Sequence, residues 1–270
     1  MMSMSIRAAP EEAPLFSVVI PAYNARATIE AAVGSALQNE VSLEVLVIDD
    51  GSADPVAPDD LPGGPVRLLA LPANGGTARA RNHGILAAAG QWIAFLDSDD
   101  AYEPQRLDAA RSFFEHRELD GLATDTLVVS SHEPSRVSRP TPNDEGLLHL
   151  RTSAIFGSHI LARSLFERIG LFDPHWHIQE DADLWLRMIL SGARIGYLPR
   201  PAYVYRLNDE GKTQGRDPLL GLHEFRNIHL MNALRPEVRP KDRAILMGRA
   251  LKWERRALPH HSARWRRMQG

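Results

Sequence analysis

Val45 to Ile48 is an unbroken apolar run that stops abruptly at Asp49-Asp50-Gly51. An alternating run would suit a strand with one wet face, whereas a continuous one suits a parallel strand buried on both faces. The pattern recurs: Phe16 to Ile20 runs into Pro21, Val66 to Leu71 into Pro72, and Trp92 to Leu96 into Asp97. Helical spacings lie between these runs. Ile29, Ala32, Val33, Ala36 and Leu37 share a face within Thr28 to Asn39, and a second helix is expected from about Thr77 to Ala89, after the Asn74-Gly75-Gly76 turn. Pro104 is expected at the first position of a third, with Leu107, Ala110, Phe113 and Phe114 on its apolar face. Such alternation predicts an α/β fold, a Rossmann-like and mostly parallel sheet flanked by helices, with ligands bound beyond the carboxyl ends of the strands.

Further along, Ser130 to Gly146 is rich in Ser, Pro and charge and is expected to be a surface loop between two halves of the domain. Ser164 to Ile169 predicts a short helix. Asp183 to Leu190 predicts another, with Leu184, Trp185, Met188 and Ile189 on its buried side and Glu180 and Asp181 at its start. At 270 residues and 44% apolar, the chain can build one large core. Met1 to Pro14 has no apolar centre and reads as a loose tail, not as a signal peptide or anchor. The richest apolar stretch, Ile85 to Leu96, is broken by Gly90 and Gln91 and is too short to cross a bilayer. The absence of cysteine excludes disulfides, thiolate metal sites and cysteine nucleophiles, and fits a cytoplasmic location. A net charge of -3 argues against nucleic acid as partner. The charge is uneven, however: residues 241–270 hold nine Lys or Arg against two acids. Two readings stand for this basic segment. It is a solvated helix, or it lies on anionic lipid with Trp253 and Trp265 at the interface, a peripheral membrane contact.

The chemistry concentrates at strand ends. Asp97-Ser98-Asp99-Asp100 sets several carboxylates close together, and hard divalent cations take such oxygen ligands. Taken alone it reads equally as a turn that caps the next helix. Asp49-Asp50-Gly51-Ser52 closes another strand of the same sheet, so two acidic clusters share one face, and their repulsion must be relieved by a cation or by donor groups. Asn74-Gly75-Gly76 ahead of a helix resembles an anion-cradling turn, with Arg79 and Arg81 in the following turns. Glu180 and Asp181 are either helix caps or catalytic carboxylates.

Taken together these segments resemble family 2 glycosyltransferases: Ser17-Val18-Val19-Ile20-Pro21-Ala22-Tyr23-Asn24, Val47-Ile48-Asp49-Asp50-Gly51-Ser52, Asn74-Gly75-Gly76 with Ala80-Arg81-Asn82, and Asp97-Ser98-Asp99-Asp100, in that order. Ile169-Gly170-Leu171-Phe172-Asp173 followed by Glu180-Asp181-Ala182-Asp183-Leu184-Trp185-Leu186-Arg187 is similar to that family's acidic motif near the acceptor site. The resemblance covers roughly residues 15 to 207. It implies a GT-A fold with a nucleotide-binding half at about 15–103 and an acceptor half at about 104–207, followed by a basic helical extension at 208–270. It implies a nucleoside diphosphate sugar donor, most simply a UDP-sugar, and inversion at the anomeric carbon. The acceptor would be a saccharide or lipid-linked saccharide. Carried over residue by residue, Pro21, Tyr23, Asn24, Asp50 and Gly75 would hold the nucleoside and its surroundings, Arg81 would lie near the base or phosphates, Asp97 close to the ribose or the metal shell, and Ser98 would also bind the nucleotide-sugar. Asp99 would hold Mn2+ or Mg2+ on the diphosphate. Asp181 would be the general base and Glu180 its neighbour.

The chain departs from the family pattern in two places. Many relatives have a histidine shortly after a Tyr-Arg pair, where it completes the metal shell, but Tyr205-Arg206-Leu207 is followed by Asn208; His159, His175 and His177 are candidate substitutes, none of them assigned. Ala53 to Gly64 is rich in proline and acid where relatives have a helix. Two other readings stay open, a sugar-nucleotide-binding protein without catalysis and a sugar nucleotidyltransferase. The second would ordinarily show a glycine-rich basic loop where Pro21-Ala22-Tyr23-Asn24 stands.

Overall fold

The structure is a computed structural model that describes residues 13–139, 156–207 and 218–268, with the side chains of 218 and 260–268 left aside. Most of the tail reading for Met1 to Pro14, the part of the expected loop beyond Arg139, and Asn208 fall outside the described residues. Strands β1 (Phe16–Ala22), β2 (Leu43–Asp49), β3 (Val66–Ala70) and β4 (Trp92–Phe95) form the parallel part of a nine-stranded sheet, in the order β3-β2-β1-β4. Every residue of β2 and β4 is buried, as their unbroken apolar runs require. Helices α1 (Ile29–Ala36) and α2 (Thr77–Ala87) cross between the strands. The chain winds outward from β1 through β2 to β3, then returns to the other side of β1 as β4. That reversal opens a crevice beyond the carboxyl ends of β1 and β4, where open α/β sheets bind ligands. Pro21 is tolerated inside a central strand for a local reason. Val19 faces β4 through its carbonyl, which accepts from Leu96, and Ala22 faces β2 through its own, which accepts from Asp50. Pro21 therefore turns its missing N–H toward the side on which β4 has already ended.

The second half of the sheet is mixed, and the expectation of a mostly parallel sheet describes the first half better. β5 (Ala101–Tyr102) pairs antiparallel with β9 (Ile195–Leu207), while β8 (His159–Ala162) pairs antiparallel with both β4 and β6 (Gly121–Ser130). β6 runs parallel to β9, and β7 (Arg136–Ser138) adds to its outer side inside the segment expected to be only loop. Helix α3 (Arg106–Phe114) starts two residues later than expected. The Glu103 N–H is bonded to the Ala202 carbonyl, which holds the chain on the sheet past Tyr102, and Gln105 takes a left-handed φ of 57° before the helix begins. Helix α1 is likewise shorter than Thr28 to Asn39, because Asn39 turns its amide onto the Ala36 carbonyl and the Leu107 N–H.

Helices α4 (Arg163–Ile169) and α5 (Glu180–Leu190) follow, then α6 (Pro218–Ala233) and α7 (Pro240–Met268). Helix α5 is buried from two directions. Leu184 and Met188 enter the main core, while Leu186, Ile189 and Leu190 join a second cluster with Ile228 of α6 and Leu246 of α7. At about 1.5–3 kcal/mol for each fully buried large apolar side chain, both contacts fix its axis. Trp253 does not sit at an outer surface: it stacks on Phe225 with ring centroids 4.6 Å apart, inside the α6–α7 pair. Among the described residues, no helix is long and apolar enough to cross a membrane.

Candidate active site

The acidic clusters are neutralised mainly by donors, each in its own way. Asp49 accepts N–H groups from Ser52 and Val56 at 2.9 and 2.8 Å, closing the turn after β2. Asp50 is buried and accepts from Gly75 at 3.0 Å and from Gly76 at 2.7 Å. The anion cradled by the glycine turn is thus a carboxylate of the protein's own. Gly51 makes the approach feasible: its φ is +67°, and a Cβ there would lie 2.5 Å from the Ala73 carbonyl carbon. Asn24, with a φ of 50°, ties the loop after β1 to the loop after β2, its backbone N–H donating to Ser52 Oγ and its side-chain oxygen accepting from Ala53. Tyr23 stands exposed at the crevice mouth.

The end of β4 is built differently. Arg81 on α2 is 5% exposed, donating to Asp97 at 2.8 Å and reaching Glu180 of α5 at 3.4 Å. Its guanidinium lies against the edge-to-face pair of Phe156 and Phe172, 5.7 and 5.5 Å from their centroids. Burial alone would lower its pKa, yet the two carboxylates outweigh burial and raise it, so the group stays charged. The sequence reading put Arg81 beside base or phosphates. The structure makes it an internal bridge, and Arg79, half-buried over Gly75, is the more accessible cation of that helix. Asn82, the next residue, exchanges two hydrogen bonds with the backbone of Phe172, at 2.8 and 2.9 Å, and so fixes one of the rings packed against Arg81.

Asp97, Ser98 and Asp99 are half-buried, whereas Asp100 is buried. Asp100 accepts the Tyr203 hydroxyl at 2.6 Å and the Arg206 N–H at 2.8 Å, and Tyr203 in turn accepts the Asp97 N–H at 3.2 Å. Burial, followed by the neighbouring Asp97 charge, pushes the Asp100 carboxyl up to about 8 against those hydrogen bonds. The Arg206 guanidinium donates to the Asp99 carbonyl at 3.3 Å. The Tyr-Arg pair flagged in the sequence therefore does flank the acidic turn.

Glu180 and Asp181 open α5, but neither caps it. Gln179 is the N-cap, without a side-chain cap bond. Glu180 is buried against Arg81, and half-buried Asp181 accepts the Ala182 N–H at 2.7 Å. Burial and then the Glu180 charge raise the Asp181 carboxyl to about 6, with Arg81 and the Ala182 N–H opposing. The segment ahead of α5 is clamped by Arg187, which pairs with Asp183 at 2.9 Å and donates to the Ile169 and Leu171 carbonyls at 2.6 and 2.8 Å. The structure thus brings Asp97, Arg81, Glu180 and Asp181 into one connected group, with Asp99 on the turn beside them. Asn24, Asp50 and Gly75 form a second group beyond β1 and β2.

Of the histidines considered as metal ligands, His159 is buried between Phe156 and Trp185, and burial lowers it to about 4, leaving a neutral ring. His175 and His177 are exposed and face Asp173 and Glu224. Among the described residues, no three acidic or imidazole side chains converge on one point. The end of β4 carries three carboxylates, oxygen donors of the type a hard cation takes, with Asp97 engaged by Arg81, Asp100 by Tyr203, and Asp99 half-buried on the turn. A separate hollow of about 430 Å³ beside Leu15, Gln91 and Trp92 lies at the opposite, amino-terminal end of β1 and β4.

Residues 17–178 match the sequence model of Glycosyl transferase family 2. The chain belongs to that family. The succinoglycan biosynthesis protein ExoO of Rhizobium meliloti (strain 1021) is 36% identical over 220 residues, 74% of this chain and 62% of its own length. The uncharacterized glycosyltransferase EpsJ of Bacillus subtilis (strain 168) is 29% identical over 218 residues, 74% of this chain and 63% of its own. The chain therefore spans about three fifths of the length of these glycosyltransferase relatives. Among solved structures, S. aureus TarS 1-349 in complex with UDP-GlcNAc aligns with a TM-score of 0.68 at 21% identity, covering 88% of this chain and 72% of its own. The mannosyltransferase PcManGT from Pyrobaculum calidifontis, in complex with GDP-Man and Mn2+, aligns at 0.61 and 16%, covering 96% and 79%. These likenesses carry the fold, a GT-A sheet with a carboxyl-terminal helical part.

Proposed function

We propose that this family 2 glycosyltransferase moves a sugar from a UDP-sugar to an acceptor hydroxyl with inversion, aided by a divalent metal, in the synthesis of a surface polysaccharide or glycolipid. The observation that carries the reading is the line Asp97–Arg81–Glu180, which ties the acidic end of β4 to the start of α5 and so sets Asp181 at the same crevice. Residues about 15–103 would hold the donor and about 104–207 the acceptor, with 208–270 as the basic helical extension. Pro21, Tyr23 and Asn24 would line the nucleoside side. Asp50 keeps acceptor capacity on Oδ1 for a base N–H, since its strongest internal bond is on Oδ2. Gly75 would keep that carboxylate in place. Arg81 would act through Asp97, which with Ser98 lies toward the ribose.

Asp99, half-buried at the turn, would share a Mn2+ or Mg2+ ion with the donor diphosphate, and such an ion offsets the charge that gathers on the leaving group. Asp181 would take the acceptor proton as the hydroxyl attacks, on the face of the sugar opposite the leaving diphosphate. Near neutral pH a carboxyl raised to about 6 is mostly ionised yet more basic than an ordinary one. The UDP choice is supported by the UDP-GlcNAc complex of the TarS neighbour, and the metal by the Mn2+ complex of PcManGT. The biosynthetic setting is supported by the ExoO relative.

Thermal unfolding against UDP, GDP, dTDP and CDP, each with and without manganese, tests the donor site. A nucleotide at a hundred times its Kd adds about 2.7 kcal/mol to apparent stability. UDP is expected to shift the transition only with metal, and a flat response to all four nucleotides would sink the donor site. Asp181→Asn should keep that shift and lower turnover by about 10²- to 10⁴-fold. Normal turnover in this variant would remove Asp181 as base.

A further inference from the structure

At the start of helix α5 the Gln179 side chain makes no cap bond, and the Ala182 N–H of the first turn is taken by Asp181. Glu224, on the second turn of α6, holds the segment that leads into the helix. Its carboxylate is 4% exposed and accepts the His177 N–H at 2.8 Å on Oε1, and those of Ile178 and Gln179 at 2.9 and 3.0 Å on Oε2. These three consecutive N–H groups lead directly into Glu180 and Asp181. Charge-assisted bonds of this kind are roughly twice as strong as neutral ones, and three on one carboxylate fix both direction and register.

The rest of the helical pair holds Glu224 in place. On the next residues, Phe225 stacks on Trp253 and Arg226 pairs with Glu254 at 2.6 Å. Ile228 lies in the cluster with Leu186 and Leu246, and the Asn232 amide approaches Asp183 at 3.4 Å. Glu224 lies 46 residues beyond Ile178, outside the segment that matches the family model.

We propose that Glu224 is a positioning residue for sugar transfer: it anchors the 177–179 backbone to α6 and so sets where the start of α5, and Asp181 with it, points in the crevice. The inference rests on Asp181 as acceptor base. Without Glu224 three N–H groups lose their acceptor, the first turn of α5 shifts, and the base leaves its line to the acceptor hydroxyl. A displacement near 1 Å costs roughly 10²-fold in rate. The hydrogen bonds of Glu224 described above go to the 177–179 backbone, and the β1–β2 end of the crevice is held by its own loops, so nucleotide affinity should change far less than turnover.

The test compares wild type, Glu224→Ala, Glu224→Asp and Asp181→Asn in the full chain. Turnover is read as nucleotide release from UDP-, GDP-, dTDP- and CDP-glucose with manganese, with nucleotide affinity measured separately. Hydrogen exchange follows the amides of residues 177–182. Glu224→Ala should lower kcat about 100-fold, leave nucleotide affinity within twofold of wild type, and speed exchange in that segment. Glu224→Asp, which keeps the charge one methylene short, should recover part of kcat. If Glu224→Ala does not fold, the same split between kcat and affinity is expected, in milder form, for Glu224→Asp. Turnover within threefold of wild type in a variant with faster exchange overturns the proposal. Parallel loss of turnover and nucleotide affinity also overturns it, because that is a general structural defect. If Asp181→Asn is crippled and Glu224→Ala is silent, this inference alone falls. If Asp181→Asn is silent, the base reading falls and takes this inference with it.

Discussion

The two ends of the crevice hold their carboxylates by different means. Beyond β2, Asp49 and Asp50 are held by backbone N–H groups of adjacent loops, from Ser52, Val56, Gly75 and Gly76. Beyond β4 and at α5, side chains do most of this, Arg81 for Asp97 and Glu180 and Tyr203 for Asp100, with the Arg206 and Ala182 N–H groups as backbone partners of Asp100 and Asp181. Backbone donors come with the loop conformation and survive side-chain substitution. Side-chain partners can each be deleted by one mutation, and the buried charge left behind is costly. The β2 end should therefore answer to backbone geometry and the β4–α5 end to charge.

Arg81→Ala tests the charge side most severely. It leaves Asp97 and Glu180 without their shared cation and removes the guanidinium packed against Phe156 and Phe172, so a loss of about 3–5 kcal/mol is expected by urea unfolding. Arg81→Lys should recover only part of this, because a single ammonium cannot reach both carboxylates as the forked guanidinium does. A loss under about 1 kcal/mol for Arg81→Ala would break the comparison, for it would mean that the two carboxylates find other partners.

Gly51→Ala tests the backbone side. The change adds no charge, but it places a Cβ at a φ of +67° and 2.5 Å from the Ala73 carbonyl carbon. A destabilisation of about 1–3 kcal/mol is expected. Because the Gly75 and Gly76 donors must move with the 73–74 backbone, the UDP-dependent thermal shift should also shrink. An unchanged shift would show that the Asp50 cradle is not part of the donor site.

The first half of the sheet was legible because each of its signals is local. Val45–Ile48 is apolar because β2 is covered on both faces, and Asp49-Asp50-Gly51 follows because the chain must turn there against the 73–76 loop. Its limits show in Arg81, whose presence was read correctly and whose burial was not: helical spacing shows a side chain's direction, not the rings of Phe156 and Phe172 that close over it. The second half of the sheet was less legible. β6, β8 and β9 gave no clear strand reading, and β9 mixes buried and part-exposed positions along thirteen residues. Tyr203 lies 103 residues from Asp100 and Glu224 45 from Gln179, so neither contact leaves a mark in local spacing. Asn82 had one, the Ala80-Arg81-Asn82 segment, but its role on the Phe172 backbone needed the packed structure.

The smallest effect expected bears on charge at the β4–α5 end alone. A general base must be ionised, so turnover should fall as pH drops through the Asp181 value of about 6, with about a tenth of the plateau rate left at pH 5. Burial is the first cause of that raised value and Glu180 the second, while Arg81 opposes both. Glu180→Gln removes a neighbouring negative charge, which favours the ionised form of Asp181 and lowers its pKa, moving the acidic limb to lower pH. At pH 5 the rate relative to plateau should rise about two- to threefold over wild type. A limb that moves to higher pH would mean that Arg81, released from Glu180, swings away from Asp181 and takes its stabilising charge along. A limb that stays in place would assign it to a group other than Asp181, and the charge-held end of the crevice would then lie apart from the proton transfer.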